Sequence, residues 1–176
     1  MACTPISLVG VGLDCGSVGG LSVIYIIDKA NVSTVTLNAS NEVSGITLVS
    51  GTTFKTFNFR KNNANFASTG NRSDENGTLF YTTVLEAKFN KMETAKRTDM
   101  AAISAGNTYV IAKDNNGLYW LIGYSTLNTY VFGNTVGNTG AAMADANQYI
   151  LTLTSDTPEL PFQFVSGFNF TSLVSW

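Results

Sequence analysis

The residues able to carry chemistry are few and poorly placed for it. The chain of 176 residues holds 12 Asp and Glu, 10 Lys and Arg, two cysteines and no histidine. Without an imidazole there is no Ser-His-Asp or Cys-His relay, and no zinc site of the usual histidine-containing kind. Cys3 and Cys15 cannot make a thiolate zinc site alone, and their spacing is not that of a redox Cys-x-x-Cys pair. Two cysteines in a chain of this size read as reduced or buried thiols, pairing remains open, and they set no compartment. Gly10-Val11-Gly12-Leu13-Asp14-Cys15 starts like a dinucleotide fingerprint, but it has Cys where the third glycine belongs. No helical pattern follows it to aim a dipole at phosphates. Asp114-Asn115-Asn116-Gly117 lacks the spaced carboxylates and distal Glu of a calcium loop, so it reads as a turn. Two carboxylates across a cleft suffice for a glycosidase. Here Asp74 and Glu75 lie together in a turn, Glu93 and Asp99 sit on a helix, and nothing marks any pair as catalytic. The expectation is no enzymatic activity, no metal and no cofactor. Tyr119, Trp120 and Tyr124 could stack on sugars as an adhesive surface, but in a hairpin with alternating faces they read as core.

Composition turns attention from chemistry to surfaces. Charged residues make up 12% of the chain, against about 25% in a typical soluble domain, while Asn, Ser and Thr together supply roughly 30%. A surface built from neutral polar groups suits a β-rich protein, and also one that packs its outside against copies of itself. The formal charge of -2 provides no basic field to hold nucleic-acid phosphates. The length fits a single domain, 1–176, with a flexible N-terminal segment over 1–18 and a C-terminal arm over 155–176. The N-terminus has no basic stretch, and its apolar residues are interrupted by glycines, so neither a signal peptide nor a membrane-spanning helix is expected.

Residues 21–27 form a nearly continuous apolar, β-branched run of strand length, which reads as a central strand. Shorter alternating runs over 32–37 and 45–49 read as two more strands. Tyr109-Val110-Ile111-Ala112-Lys113 and Leu118-Tyr119-Trp120-Leu121-Ile122 flank Asn116-Gly117 as a tight hairpin. One helix is predicted after Asn90, taken as its cap with Glu93 three residues on, and running to Gly106 with Met92, Ala95, Met100 and Ile103 toward a sheet. Residues 124–147 read as a long connection with a short strand around 130–132. Tyr149, Leu151 and Leu153 share one face of a later strand. Phe162, Phe164, Phe168 and Phe170 make the tail apolar enough to dock.

The most distinctive stretch is 52–90. Leu79, Tyr81, Thr83, Leu85, Ala87 and Phe89 alternate with more polar neighbours, so they line one face of a strand. An outgoing arm over 52–61 carries Phe57 and Phe59 on one face, and Phe54 on the other parity suggests a bulge. Between the arms lies a polar connection, 62–77, ending in Asn76-Gly77, which cannot bury itself.

A long hairpin with a polar tip, a single helix directly after it and a further sheet resembles the order of elements in bacteriophage tail tube proteins. Three segments are also similar to small tail and virion proteins of phages of Bacteroidetes-type hosts. They are 19–26 (Gly-Gly-Leu-Ser-Val-Ile-Tyr-Ile), 116–124 (Asn-Gly-Leu-Tyr-Trp-Leu-Ile-Gly-Tyr) and 139–154. The resemblance implies a mainly β, tail-tube-like sandwich or barrel with a long hairpin and one flanking α-helix. It implies closure into stacked, hexameric rings that form a DNA conduit, with the chain itself and other phage tail proteins as partners. DNA would pass without specific binding, no membrane would be involved, and the protein would reside in the virion tail after assembly in the host bacterial cytoplasm. Other neck, capsid or tail positions belong to the same class. Carried onto this chain, the ring-forming strands would use Phe57, Phe59, Leu79, Tyr81, Leu85 and Phe89. The loop to the next ring would use Lys61, Asn65, Phe66, Arg72, Asp74 and Glu75. Tube lumens of this family commonly carry negative charge, so the resemblance requires Lys55, Arg60, Lys61 and Lys88 to face away from the channel.

Overall fold

Twelve strands, one α-helix and a short 3-10 turn at Lys29–Asn31 follow the chain in a computed structural model that describes Gly10 and residues 16–175. Both cysteines and most of the glycine-rich opening lie outside the described residues. The strands are β1 (Leu21–Asp28), β2 (Val32–Leu37), β3 (Val43–Leu48), β4 (Phe54–Phe57), β5 (Ala64–Ser73) and β6 (Thr78–Asn90), after which comes helix α1 (Thr94–Ala105). Then come β7 (Thr108–Asp114), β8 (Tyr119–Ile122), β9 (Phe132–Asn138), β10 (Gln148–Thr157), β11 (Phe162–Gln163) and β12 (Val174–Ser175). They form a six-stranded sheet in the order β11-β8-β7-β1-β4-β12, a four-stranded sheet β5-β6-β10-β9 and a two-stranded sheet β2-β3. The strand ladders are antiparallel except β12 beside β4, and an isolated bridge from Val43 to Phe164 is parallel too. The fold is mainly β with one helix, as the residue patterns predict, and no sheet closes into a barrel.

The six-stranded sheet is a wall shared by two cores, which explains the unbroken apolar run of β1. Ile24 and Ile26 point into one core with Val110, Ala112 and Ile122. Across that core lie Leu85, Ala87 and Phe89 of β6, and Tyr149, Leu151 and Leu153 of β10. Val23, Tyr25 and Ile27 point the other way, into a second core covered by the two-stranded sheet and the C-terminal tail. A strand buried on both faces has no polar face to alternate with. Each fully buried Leu or Ile contributes roughly 1.5–3 kcal/mol.

The same two-sidedness corrects the reading of β4. Phe57 pairs with Ile24 and packs in the first core, whereas Phe54, fully buried, belongs to the second. Their opposite parity is the mark of a strand between two cores, and the β1–β4 register runs without a bulge.

Three further expectations are revised. The arm at 52–61 does not pair with β6, because β4 leaves for the six-stranded sheet. Instead β5, inside the supposed connection, pairs with β6 from Ala64–Ala87 to Ser73–Thr78. Asn90 is the last residue of β6 and does not cap α1. The chain turns at Lys91 with φ +66°, pinned by Asn147, and Glu93 is the N-cap without a side-chain cap bond. Met100 and Ile103 are buried as expected, whereas Ala95 is exposed. Finally, 124–147 contains a full strand, β9, where only a short one around 130–132 was expected.

Candidate assembly surface

The four-stranded sheet is the part of the molecule with surface to offer. Its inner face, Leu85, Ala87, Leu151 and Leu153 among others, closes the first core. Its outer face is uncovered: the even positions of β6, β9 and β10 and the odd positions of β5 lie along it, by the continuous registers of the three pairs. Val84, Phe132 and Val136 stand exposed there among Thr and Asn.

Among the described residues, no strand pairs with the free sides of its two outer strands. β5 runs ten residues with Arg72 as its one charge, and β9 runs seven residues, Phe-Gly-Asn-Thr-Val-Gly-Asn, with none. Neither contains proline, and neither register is broken by a bulge. Charge, proline and bulges are the usual protections of a free strand edge against pairing with another chain. By alternation along the sheet, β5 and β9 run in opposite directions.

The inner positions of β9 explain how a flanking helix reaches the sheet. A Cβ added at Gly133 would sit 2.8 Å from the Ile103 side chain and 3.3 Å from that of Leu153, and one at Gly137 would sit 2.8 Å from Met92. Glycine lets α1 and the turn before it lie down on β9.

At the far end the β5–β6 hairpin outruns its support. β10 pairs with β6 only as far as Tyr81, so the rungs formed by residues 78–80 and 71–73 stand alone below the turn at 74–77. Three rungs reach roughly 10 Å past the rest of the sheet. Arg72 bridges to Asp74 at 2.6 Å, and Leu79 and Phe80 are exposed on opposite faces. Behind this tip the hairpin is braced. Tyr81 covers Gly70, Ser68 bonds Thr83 at 2.8 Å, and Thr82 donates to Asp156 at 2.7 Å.

The residues assigned to ring-forming strands divide accordingly. Phe57 and Phe59 pack edge-on against Phe89 at 6.0 and 6.3 Å, and Leu85 is fully buried, so these four hold the subunit's own core. Tyr81 is half-buried, and Leu79 is open. The residues assigned to an inter-ring loop do not lie together. Lys61 precedes β5, while Arg72, Asp74 and Glu75 sit at its other end, roughly 33 Å away along a ten-residue strand. Asn65 is exposed on the outer face. Phe66 is turned inward onto the first core and Trp120, with ring centroids 6.3 Å apart. The surface residues missed from sequence, Phe132, Asn134 and Val136 of β9, lay in a stretch whose glycines read as a connection.

Of the cations that the resemblance requires to face away from the channel, Lys88 does not: it lies on the outer face, where it pairs with Glu86 at 3.2 Å. Lys55 lies on the face of β4 turned to α1, in a cleft with Asp99, and Arg60 lies near Lys91 and Lys96. Lys88 against Glu86 and Asp156 is one positive charge and two negative, so the outer face carries a net of -1.

The aromatic residues considered for sugar stacking are engaged within the chain. Tyr119 stacks on Phe170 at 4.0 Å, Trp120 leans on Phe66 and donates its indole N–H to Asp114, and Tyr124 meets Tyr109 and Phe162 edge-on. Tyr109 has its phenol pKa raised, first by burial and then by the neighbouring Tyr124. The Asp114–Gly117 hairpin turn is held by Asp114, whose carboxylate accepts the N–H groups of Asn116 and Leu118 at 2.9 Å. Among the described residues no three His, Cys, Asp or Glu gather as metal ligands, and no helix is long and apolar enough to cross a membrane. Against known proteins, no family model, curated sequence or solved structure matches the chain.

Proposed function

We propose that this protein is a structural subunit that acts by self-assembly, as a tail tube subunit of a phage virion. Copies join head to tail, β9 of one beside β5 of the next, and the resulting rings stack into a conduit. The observation that carries this reading is the pair of long, regular, nearly uncharged edges on opposite sides of one four-stranded sheet. Because β5 and β9 run in opposite directions, a copy added by rotation about an axis along the strands meets its neighbour antiparallel. Closing such a heterologous contact into a ring turns an aggregation hazard into a finite assembly. Six copies would give a continuous sheet roughly 37 Å across before strand tilt, from a spacing of about 4.8 Å per strand. A lumen lined by the outer face, neutral polar with a net charge of -1 per copy, would let DNA pass without holding its phosphates. The exposed hairpin tip supplies a contact toward the next ring.

Negative-stain microscopy of the purified protein should show rings or stacked tubes, and a strict monomer at high concentration would overturn the reading. Val136→Lys places a charge on the free edge at an exposed position, where its cost to the fold is within about 0.5 kcal/mol. It should yield a folded subunit that no longer associates; unchanged rings would remove β9 from the interface.

A further inference from the structure

In an Asn-Gly pair the side-chain amide is especially open to attack by the next backbone nitrogen, because glycine has no Cβ to hinder the approach. The chain has two such pairs, Asn76-Gly77 and Asn116-Gly117, and the fold treats them in opposite ways. The Asn116 side chain is clamped: Oδ1 accepts the Val18 N–H at 2.8 Å, and Nδ2 donates to the Val18 carbonyl at 3.0 Å. The attacking nitrogen is occupied too, since Gly117 N–H donates to the Asp114 carbonyl at 3.2 Å. At the hairpin tip, Asn76 N–H donates to Ser73 Oγ at 3.3 Å. Neither the Asn76 side chain nor Gly77 N–H has a hydrogen-bond partner among the described residues. Asn76 and Gly77 are both exposed, beyond the last rung of the hairpin.

We propose that Asn76 is a site of spontaneous covalent modification, while the fold keeps Asn116 intact. Gly77 nitrogen gives up its proton and bonds to Asn76 Cγ, the Cγ–Nδ2 bond breaks, and ammonia departs carrying that proton. One water then opens the five-membered imide at either carbonyl, leaving aspartate, or isoaspartate with the chain rerouted through the side chain. No electrons change hands, and solvent water is the one co-reactant. The tip, with Arg72 against Asp74 and Glu75, goes from one positive and two negative charges to one positive and three. The chemistry stands apart from the assembly reading; on that reading it would weaken contacts made by the tip while leaving the β5 and β9 edges untouched.

The test is incubation of the full chain at mildly alkaline pH, followed by mildly acidic digestion and mass spectrometry. Peptides carrying Asn76 and Asn116 are scored for amide-to-acid conversion, and isoaspartyl methyltransferase labelling detects the rerouted product. In the native protein, conversion at Asn76 should exceed that at Asn116 by about tenfold or more, the factor corresponding to about 1.4 kcal/mol of local protection. In denaturant the two rates should converge, because sequence alone then governs both. Asn76→Gln should remove the labelled product from the tip peptide and leave the Asn116 peptide unchanged. Equal native rates at the two positions, or faster conversion at Asn116, would overturn the proposal.

Discussion

The two large sheets differ most at their edges. The six-stranded sheet ends on both sides in strands of two residues, β11 beside β8 and β12 beside β4, so the outer sides of β8 and β4 are each covered by a short piece of the C-terminal segment. The four-stranded sheet ends in strands of ten and seven residues that no further strand flanks among the described residues, although α1 lies against β9. One chain thus protects one sheet and leaves the other open. The open sheet is also the one with an uncovered face and a projecting hairpin. The tail has a protective task as well as a packing one: Phe54 N–H donates to the Leu173 carbonyl at 2.7 Å, and Phe164, Phe168 and Phe170 interlock over the second core.

The largest break in this contrast comes from the covered side. Phe54→Ala removes a fully buried ring at the point where β12 seals β4. It should cost about 3–5 kcal/mol in denaturant unfolding, with any aggregation arising from the newly loosened edge. A loss below about 1 kcal/mol would mean that β12 contributes little to the cover. A smaller effect is expected on the open sheet from Gly133→Val, whose branches would meet Ile103 and Leu153. It should destabilise by about 1–3 kcal/mol and lift α1 from β9, seen as increased amide exchange in the helix. Stability equal to the parent protein would show that the helix yields without cost.

The smallest effect lies in the loop before β10. Asp145 is exposed, and its carboxylate accepts the N–H groups of Ala142 and Ala141 at 2.8 Å, which hold its pKa below the ordinary value, Ala142 contributing most. A depressed carboxylate pKa gives a contribution that is present above the unfolded value of about 3.9 and is lost as pH falls through the lower folded value. The amide resonances of Ala141 and Ala142 should therefore titrate with a midpoint below about 3.9, and a midpoint at or above it would deny the turn its anchor.

The sequence pattern is legible where burial is one-sided or complete. β1, β10, the β7–β8 hairpin and the inward residues of β6 all stand where their apolar positions place them. It fails at β5 and β9, the two edge strands of the open sheet. The inward positions of β5 run Ala64, Phe66, Ser68 and Gly70, because the strand passes beyond the core and loses its reason to be apolar. The inward positions of β9 are Gly133, Thr135 and Gly137, made small by the approach of α1 and Met92. Glycine spaced by two is there the imprint of a helix on a strand, yet in one dimension it looks like a loop. The placement of Phe57 and Phe59 failed differently. Their apolar face was read correctly, but a strand's partner is a long-range property that periodicity does not contain.

The open sheet has four strands, an even number, and that parity carries a consequence for symmetry. With an even count every junction between rotated copies is antiparallel, whatever the number of copies in the ring. An odd count would make each junction parallel. In the proposed ring, hydrogen bonding between neighbours would therefore be indifferent to ring size, and the number of subunits would fall to the twist and curvature of the sheet. Substitutions that alter curvature, at the glycines of β9 or beneath α1, are the ones that would change how many copies close the circle.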